Sequence, residues 1–188
     1  KVMAQLDGEP MICRTVRAFQ TAPAIREIVI VTRADLVEPI TALCKDFDKV
    51  TTVTVGGSSR QESVEKGLAA LSSKVKLAAI QDGARPLISQ EVIERTVRAA
   101  HTYGAAAPGI PVKDTIKLVE GYVIADTPDR SKLQAVQTPQ VFDEALIRGA
   151  LKKANRENLP ITDDSSAVEL LRMSVKIANK NGYNVSFR

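Results

Sequence analysis

Apolar residues first recur at helical spacing between Pro10-Met11-Ile12 and Phe19, with a proline opening the run, and this predicts a helix over 10–19. The dense β-branched run Ile28-Val29-Ile30-Val31-Thr32 predicts a strand. A helix over 36–47 follows, with Pro39 near its start. A second strand, Val50-Thr51-Thr52-Val53-Thr54-Val55, ends in Gly56-Gly57. Ser58 or Ser59 can cap a third helix over 61–71. The apolar run 75–80 predicts a buried strand, and Ser89 caps a helix over 91–101. Strands and helices thus alternate, and two of these three strands are largely apolar. That is the signature of a parallel sheet covered on both faces, wound by right-handed crossovers into a doubly wound α/β layer.

The pattern changes after Ala105. Ala106-Ala107-Pro108-Gly109-Ile110-Pro111-Val112 reads as extended, 114–119 partly alternates polar and apolar, and Tyr122-Val123-Ile124 follows a Glu-Gly turn. This predicts an antiparallel insert, a β-arm over about 108–137 projecting from the layer. Helical spacing resumes over 142–154 and 165–173, with strand candidates at 174–179 and 183–187. No repeat, low-complexity stretch or linker interrupts residues 1–188, so one domain with an arm is expected. The chain opens at Lys1 and closes at Arg188 straight after a strand-like run, so a longer polypeptide is expected at both ends.

Composition narrows the partners. The 26 basic residues outnumber the 22 acidic ones by four but are scattered, which argues against a nucleic-acid surface and suits a small anionic substrate. With no Trp, three Tyr and four Phe, the chain lacks the stacking platforms that single-stranded nucleic acid requires. No apolar run reaches the ~18 residues of a membrane span, and no secretory signal is expected. Cys13 and Cys44 form no CxxC pair and read as buried free thiols. A reducing, cytoplasmic location follows as the expectation.

The chemistry gathers at two strand ends. Gln81-Asp82-Gly83-Ala84-Arg85-Pro86 leaves a buried strand and enters a Ser-capped helix. Carboxyl ends of strands are where open α/β sheets bind ligands. There Asp82 can hold a metal ion or a ribose hydroxyl and Arg85 can clamp a phosphate, although an Asp-Gly turn with a surface Arg has the same spelling. Gly56-Gly57-Ser58-Ser59-Arg60-Gln61-Glu62-Ser63 is the second segment. Its glycines permit close approach to the backbone, while Arg60 and the helix start favour an anion or a polar base edge. A capped glycine turn reads the same way.

Other segments are less specific. Thr115 and Arg130 bracket the arm, Thr138 lies in a turn entering a helix, and Thr162-Asp163-Asp164 reads first as a helix cap. His101, the sole histidine, sits at a helix C-terminus and satisfies carbonyls there. One His and two unclustered Cys argue against the usual zinc sites, and no Ser-His-Asp set assembles. Group transfer by positioning and charge neutralisation remains.

In order along the chain, Gly56-Gly57-Ser58-Ser59-Arg60, Gln81-Asp82-Gly83-Ala84-Arg85-Pro86, Pro111-Val112-Lys113-Asp114-Thr115-Ile116-Lys117, Asp129-Arg130, Gln137-Thr138-Pro139-Gln140 and Thr162-Asp163-Asp164-Ser165-Ser166-Ala167 resemble the motifs of one family. It is the 2-C-methyl-D-erythritol 4-phosphate cytidylyltransferase family, whose fold is a Rossmann-like nucleotidyltransferase layer. The resemblance implies transfer from CTP to methylerythritol phosphate, with release of pyrophosphate and a divalent metal, usually magnesium. It assigns Lys1 to the CTP triphosphate, and Gly56, Gly57, Ser58, Arg60 and Ser63 to the cytosine and ribose. Asp82 falls by metal and substrate, Arg85 by the substrate phosphate, and Thr138 and Thr162 in the same pocket. Thr115 and Arg130 fall on an arm that reaches a partner subunit, implying a homodimer.

Three positions depart from the family pattern. The family's glycine-rich loop belongs just ahead of Lys1, Gln81 stands in place of a His, and Ser186 stands where a phosphate-contacting Lys is expected. Lys176, Lys180 or Arg188 are the candidate substitutes for that charge. Ribitol-5-phosphate cytidylyltransferases share the motifs, and a non-catalytic nucleotide-binding homologue is the alternative from another class. A sugar-1-phosphate nucleotidylyltransferase fits the arm and the Asp-Gly-Ala-Arg-Pro segment poorly.

Overall fold

The computed structural model describes residues 1–178. The expected strand over 183–187, Ser186, Lys180 and Arg188 lie outside the described residues. The chain runs β1 (Gln5–Leu6), β2 (Glu9–Pro10), α1 (Met11–Gln20), β3 (Ile28–Thr32), α2 (Val37–Leu43), β4 (Val50–Val55), α3 (Arg60–Ala70), β5 (Leu77–Ile80) and α4 (Gln90–Tyr103). It continues through β6 (Ala105–Ala107), β7 (Gly109–Pro111), β8 (Leu118–Glu120), β9 (Val123–Asp126), β10 (Gln134–Val136), β11 (Gln140–Asp143), α5 (Glu144–Arg156), α6 (Asp164–Glu169) and β12 (Lys176–Ile177).

The strongly periodic segments fold as their sequences predict. Helix α1 buries Met11, Ile12, Val16 and Phe19 on one face. Ser59 and Ser89 cap α3 and α4, accepting from the Glu62 and Val92 amides. Helix α4 stops at Gly104, whose φ of 82° is the left-handed conformation that glycine enters without a Cβ penalty.

The central sheet is mixed rather than mostly parallel. Its order is β12-β6-β11-β5, with β12 parallel to β6 but β11 antiparallel to both β6 and β5. Strand β11 was not expected, because residues 142–154 read as a helix. Phe142 lies instead in the strand, and α5 begins two residues later. Alternation along β11 serves two cores. Phe142 packs with Ala105, Ile147, Leu151 and Val168 on the α5–α6 side. Val141 packs with Ala100 and Ala106 on the α4 side. All three alanines of β6 are fully buried, and their small side chains let helices close on both faces.

Strands β3 and β4 form a separate parallel pair, packed on α1 and α2 through Ile12, Val16, Ile30 and Ile40. Between this pair and β5 lies a cavity of about 980 Å³, lined on its two faces by residues such as Val16 and Phe19 of α1 and Val64 and Leu68 of α3. The expected helix over 36–47 is shorter. Helix α2 ends at Leu43, and turns closed by Phe47 N–H to Cys44 O (3.0 Å) and Val50 N–H to Phe47 O (2.9 Å) tuck Phe47 against this core. Helix α6 likewise stops at Glu169, short of the expected 173, and the chain reverses at Arg172, φ 58°.

The segment 108–137 does contain an antiparallel hairpin, β8–β9, and a second ladder pairs β7 with β10. Both cysteines are free and buried, and burial pushes the Cys44 thiol up to about 11. No helix among the described residues is long and apolar enough to cross a membrane.

Candidate active site

The antiparallel placement of β11 builds the site. Pairing Gln140 with Ile80 brings the turn before β11 against the loop leaving β5. Thr138, buried and followed by a cis peptide to Pro139, therefore lies beside Asp82, whose amide donates to Thr138 Oγ1 at 3.3 Å. Helix α6 is tied to the same edge by Gln140. Its Nε2 donates to Asp163 Oδ2 at 2.7 Å, and its Oε1 accepts from the Ser165 amide at 2.9 Å. Gln81, the residue standing in place of His, braces the β5 loop by donating to the carbonyls of Asp82 and Arg85, both at 3.3 Å.

Asp82 is the hub. Its Oδ1 accepts from Arg60 Nη1 at 2.9 Å and its Oδ2 from Arg85 Nε at 3.0 Å. Arg60, the first residue of α3, also donates through Nη2 to Asp164 Oδ2 at 2.8 Å. Arg60, Asp82, Arg85, Thr138 and Thr162 share a small cleft of about 230 Å³ with Val136, Gln137, Gln140 and Asp163. The volume lies below the usual 300–1,000 Å³ of drug-sized sites and suits a small phosphate ester rather than a whole nucleotide.

The glycine loop stands next to this cleft. Gly57 N–H donates to Ser63 Oγ at 3.0 Å, and Ser63 Oγ donates to Ser59 O at 2.8 Å. Glu62 accepts from the Ser58 amide and hydroxyl at 2.7 and 2.8 Å. A Cβ on Gly57 would lie 2.3 Å from the Glu62 side chain, so the loop conformation needs glycine there. Ser63 also lines the larger cavity, together with Arg60 and Asp82.

Lys1, Thr115 and Arg130 do not line either cavity. Arg130 instead donates to the Lys113 carbonyl at 2.8 Å. The sequence reading takes Asp164, with Thr162 and Asp163, as a helix cap and misses its contact with Arg60. Residues 163–166 spell a helix cap, and Asp163 does cap α6 in a capping box with Ser166. Asp164 is buried and turned to Arg60, a partner 104 residues away that no local pattern reveals.

The two carboxylates are pushed in opposite directions. Burial raises Asp82, but hydrogen bonds and charge from Arg85 and Arg60 outweigh it and hold the carboxyl below its ordinary value. At Asp164 burial wins over Arg60, and the carboxyl lies above its ordinary value. The stabilisation from Asp82 is therefore present above its unfolded pKa and is lost as pH falls through its lower, folded value. Asp164 has the opposite sign, since the folded state takes up its proton first on acidification. In a carboxyl ¹³C NMR titration Asp164 is expected to protonate at higher pH than Asp82; the reverse order would contradict this electrostatic picture.

Comparison with known proteins finds relatives along almost the whole chain. The model of the family described as IspD, 2-C-methyl-D-erythritol 4-phosphate cytidylyltransferase, matches residues 1–187. A protein of that name from Caldanaerobacter subterraneus is 39% identical over 193 residues, covering 98% of this chain and 83% of the relative. One from Symbiobacterium thermophilum is 42% identical over 179 residues, covering 94% and 75%. The crystal structure of 2-C-methyl-D-erythritol 4-phosphate cytidylyltransferase from Thermus thermophilus superposes with a TM-score of 0.83 at 30% identity, covering 100% of this chain and 88% of that one. That of 4-diphosphocytidyl-2C-methyl-D-erythritol synthase from Anaerococcus prevotii reaches a TM-score of 0.92 at 27% identity, covering 99% and 86%. With a family match along almost its whole length, this chain belongs to the 2-C-methyl-D-erythritol 4-phosphate cytidylyltransferase family.

Proposed function

We propose that this chain transfers the cytidylyl group of CTP to 2-C-methyl-D-erythritol 4-phosphate, giving the CDP-alcohol and pyrophosphate in non-mevalonate isoprenoid biosynthesis. The observation that carries the reading at the level of the site is the Asp82 carboxylate held between Arg60 and Arg85 at the end of β5. A phosphate oxygen of the polyol phosphate attacks the α-phosphorus of CTP. The bond from that phosphorus to the bridging oxygen breaks, and pyrophosphate leaves with the electron pair. Little covalent work falls to the protein in such chemistry, so orientation and charge neutralisation dominate.

Arg85, Thr138 and Thr162 receive the polyol phosphate in the small cleft. The loop of Gly56, Gly57, Ser58 and Ser63, with Arg60, receives cytosine and ribose, and Lys1 faces the triphosphate. Magnesium suits this donor set. Among the described residues no group of three or more His, Cys, Asp or Glu gathers to cage an ion, and magnesium is commonly held by one or two carboxylates plus substrate phosphates. Asp82 would hold it, and the ion would supply neutralisation of charge on the phosphates.

The wider assembly belongs to the same proposal. The β3–β4 pair and the four-stranded sheet are parts of one doubly wound, Rossmann-like layer; apolar residues on both faces of the cavity between them support this. The β8–β9 hairpin is an arm that docks on a second copy. Leu118, Val119, Tyr122, Val123 and Ile124 lie exposed on the two faces and turn of this hairpin, more apolar surface than a solvated hairpin needs, which supports a partner contact. Thr115 and Arg130 would then serve the partner's cleft. Two buried free thiols suit a reducing cytoplasm.

Replacing Arg85 by Met tests the cleft assignment. KM for the polyol phosphate is expected to rise about 100-fold, with KM for CTP within about threefold, because a charge-assisted phosphate contact is removed from one substrate only. Equal loss for both substrates would sink the assignment.

A further inference from the structure

We propose that Asp164 is a positioning residue for the transfer reaction: it fixes the Arg60 guanidinium so that Arg60, together with Arg85, holds the Asp82 carboxylate in register. The proposal rests on the role given above to Asp82. The Asp164 side chain is 2% exposed, whereas that of Arg60 is 46% exposed. A half-exposed arginine has many accessible rotamers and does not hold one geometry unaided. Here one prong of its fork is anchored in the protein and the other is presented to Asp82, at 2.8 and 2.9 Å.

The anchor itself is rigid. Asp163 caps α6 and is gripped by Gln140, and Gln140 also takes the Ser165 amide, so the flanks of Asp164 are fixed to β11. A relay of named contacts thus runs from β11 through α6 and α3 to the end of β5. Neither local role accounts for Asp164. Capping is already performed by Asp163, and although Asp164 is the acidic residue of the first turn, complementing the helix dipole does not require its carboxylate to turn to Arg60. Burying a carboxylate is costly unless it is paired, and the pairing made here leads to the site.

Four proteins test this: wild type, Arg60→Met, Asp164→Asn and the double variant, each measured for kcat, KM and Tm. Asp164→Asn is expected to lower kcat about 10- to 100-fold, the usual effect of losing a residue that orients a contacting group. The double variant should be no worse than Arg60→Met alone, since the two act as one unit. Asp164→Glu, which keeps the charge, should restore most of the activity. Wild-type kcat in Asp164→Asn, penalties that multiply in the double variant, or a Tm loss above about 10 °C in Asp164→Asn would each overturn the proposal, the last by showing a purely structural role. A substrate-free readout separates this from failure of the cytidylyl-transfer reading. The Arg60 side-chain ¹H–¹⁵N signals should show hindered rotation in wild type and averaging in Asp164→Asn. Equal hindrance in both would refute the positioning role even in a protein that turns over nothing.

Discussion

Replacing Asp82 by Asn should lower kcat by at least about a thousandfold, some 4 kcal/mol of transition-state stabilisation at 1.36 kcal/mol per tenfold. Asn has nearly the shape of Asp, so the loss reports charge. Asp82 accepts from both Arg60 and Arg85, and its amide is held by Thr138. Neutralising it strips Arg85 of its carboxylate partner and Arg60 of one of its two, and leaves a neutral amide oxygen where a charged donor is proposed for magnesium. Preorganised charge of this kind is commonly the largest catalytic contribution, and single groups account for losses of about 10²–10³ or more. Fold stability should fall only modestly: the Asp82 ion pairs are lost, but that carboxylate is partly exposed and Arg60 keeps its pairing to Asp164. Steady-state kinetics with saturating magnesium, alongside thermal unfolding, checks both halves. A kcat within tenfold of wild type would remove Asp82 from the reaction.

Phe142→Ala should cost about 3–5 kcal/mol of stability, the range for truncating a buried aromatic. Total stabilities are about 5–15 kcal/mol, so this single change consumes a large fraction. Phe142 is fully buried in β11, between β5 and β6, and packs on Ala105, Ile147, Leu151 and Val168. Its neighbours come from β6, α5 and α6, which limits how far the hole can collapse. Because β11 also sets the register that brings Thr138 to Asp82, the variant should lose activity below its melting transition too. Urea denaturation followed by circular dichroism measures the effect as a lower midpoint at an unchanged slope. A loss under about 1.5 kcal/mol would mean that β11 is not the keystone described.

The contrast between Phe142 and Asp82 shows what the sequence makes legible. Helices α1, α3 and α4 and strands β3 and β4 carry long periodic or β-branched runs, with serine caps where helices begin, so local chemistry specifies them. Strand β11 has four residues, opens on the polar Gln140 and runs straight into a helix whose apolar spacing absorbs Phe142. Its strand character comes from ladders to β5 and β6, which are non-local. The mixed sheet was hidden for the same reason, since one antiparallel strand decides it.

Arg60, Asp82, Arg85, Thr138 and Thr162 line one cleft; Arg60, Asp82 and Arg85 stand out in the sequence beside glycines at strand ends, whereas Thr138 and Thr162 read locally as a turn and a cap and were singled out only by the family resemblance. The contact of Asp164 was not legible, since its partner lies far away in sequence and its neighbours offer a complete local explanation as a cap. Gln140 was similarly opaque: a polar residue entering a strand gives no hint that it will clasp α6.

The most direct measurement is pyrophosphate release by the protein expressed from its complete reading frame, with CTP and magnesium, offering 2-C-methyl-D-erythritol 4-phosphate and ribitol 5-phosphate in parallel. Release with the methylerythritol phosphate alone is the predicted result. Release with ribitol 5-phosphate alone, or with neither substrate from a folded protein, would contradict the account.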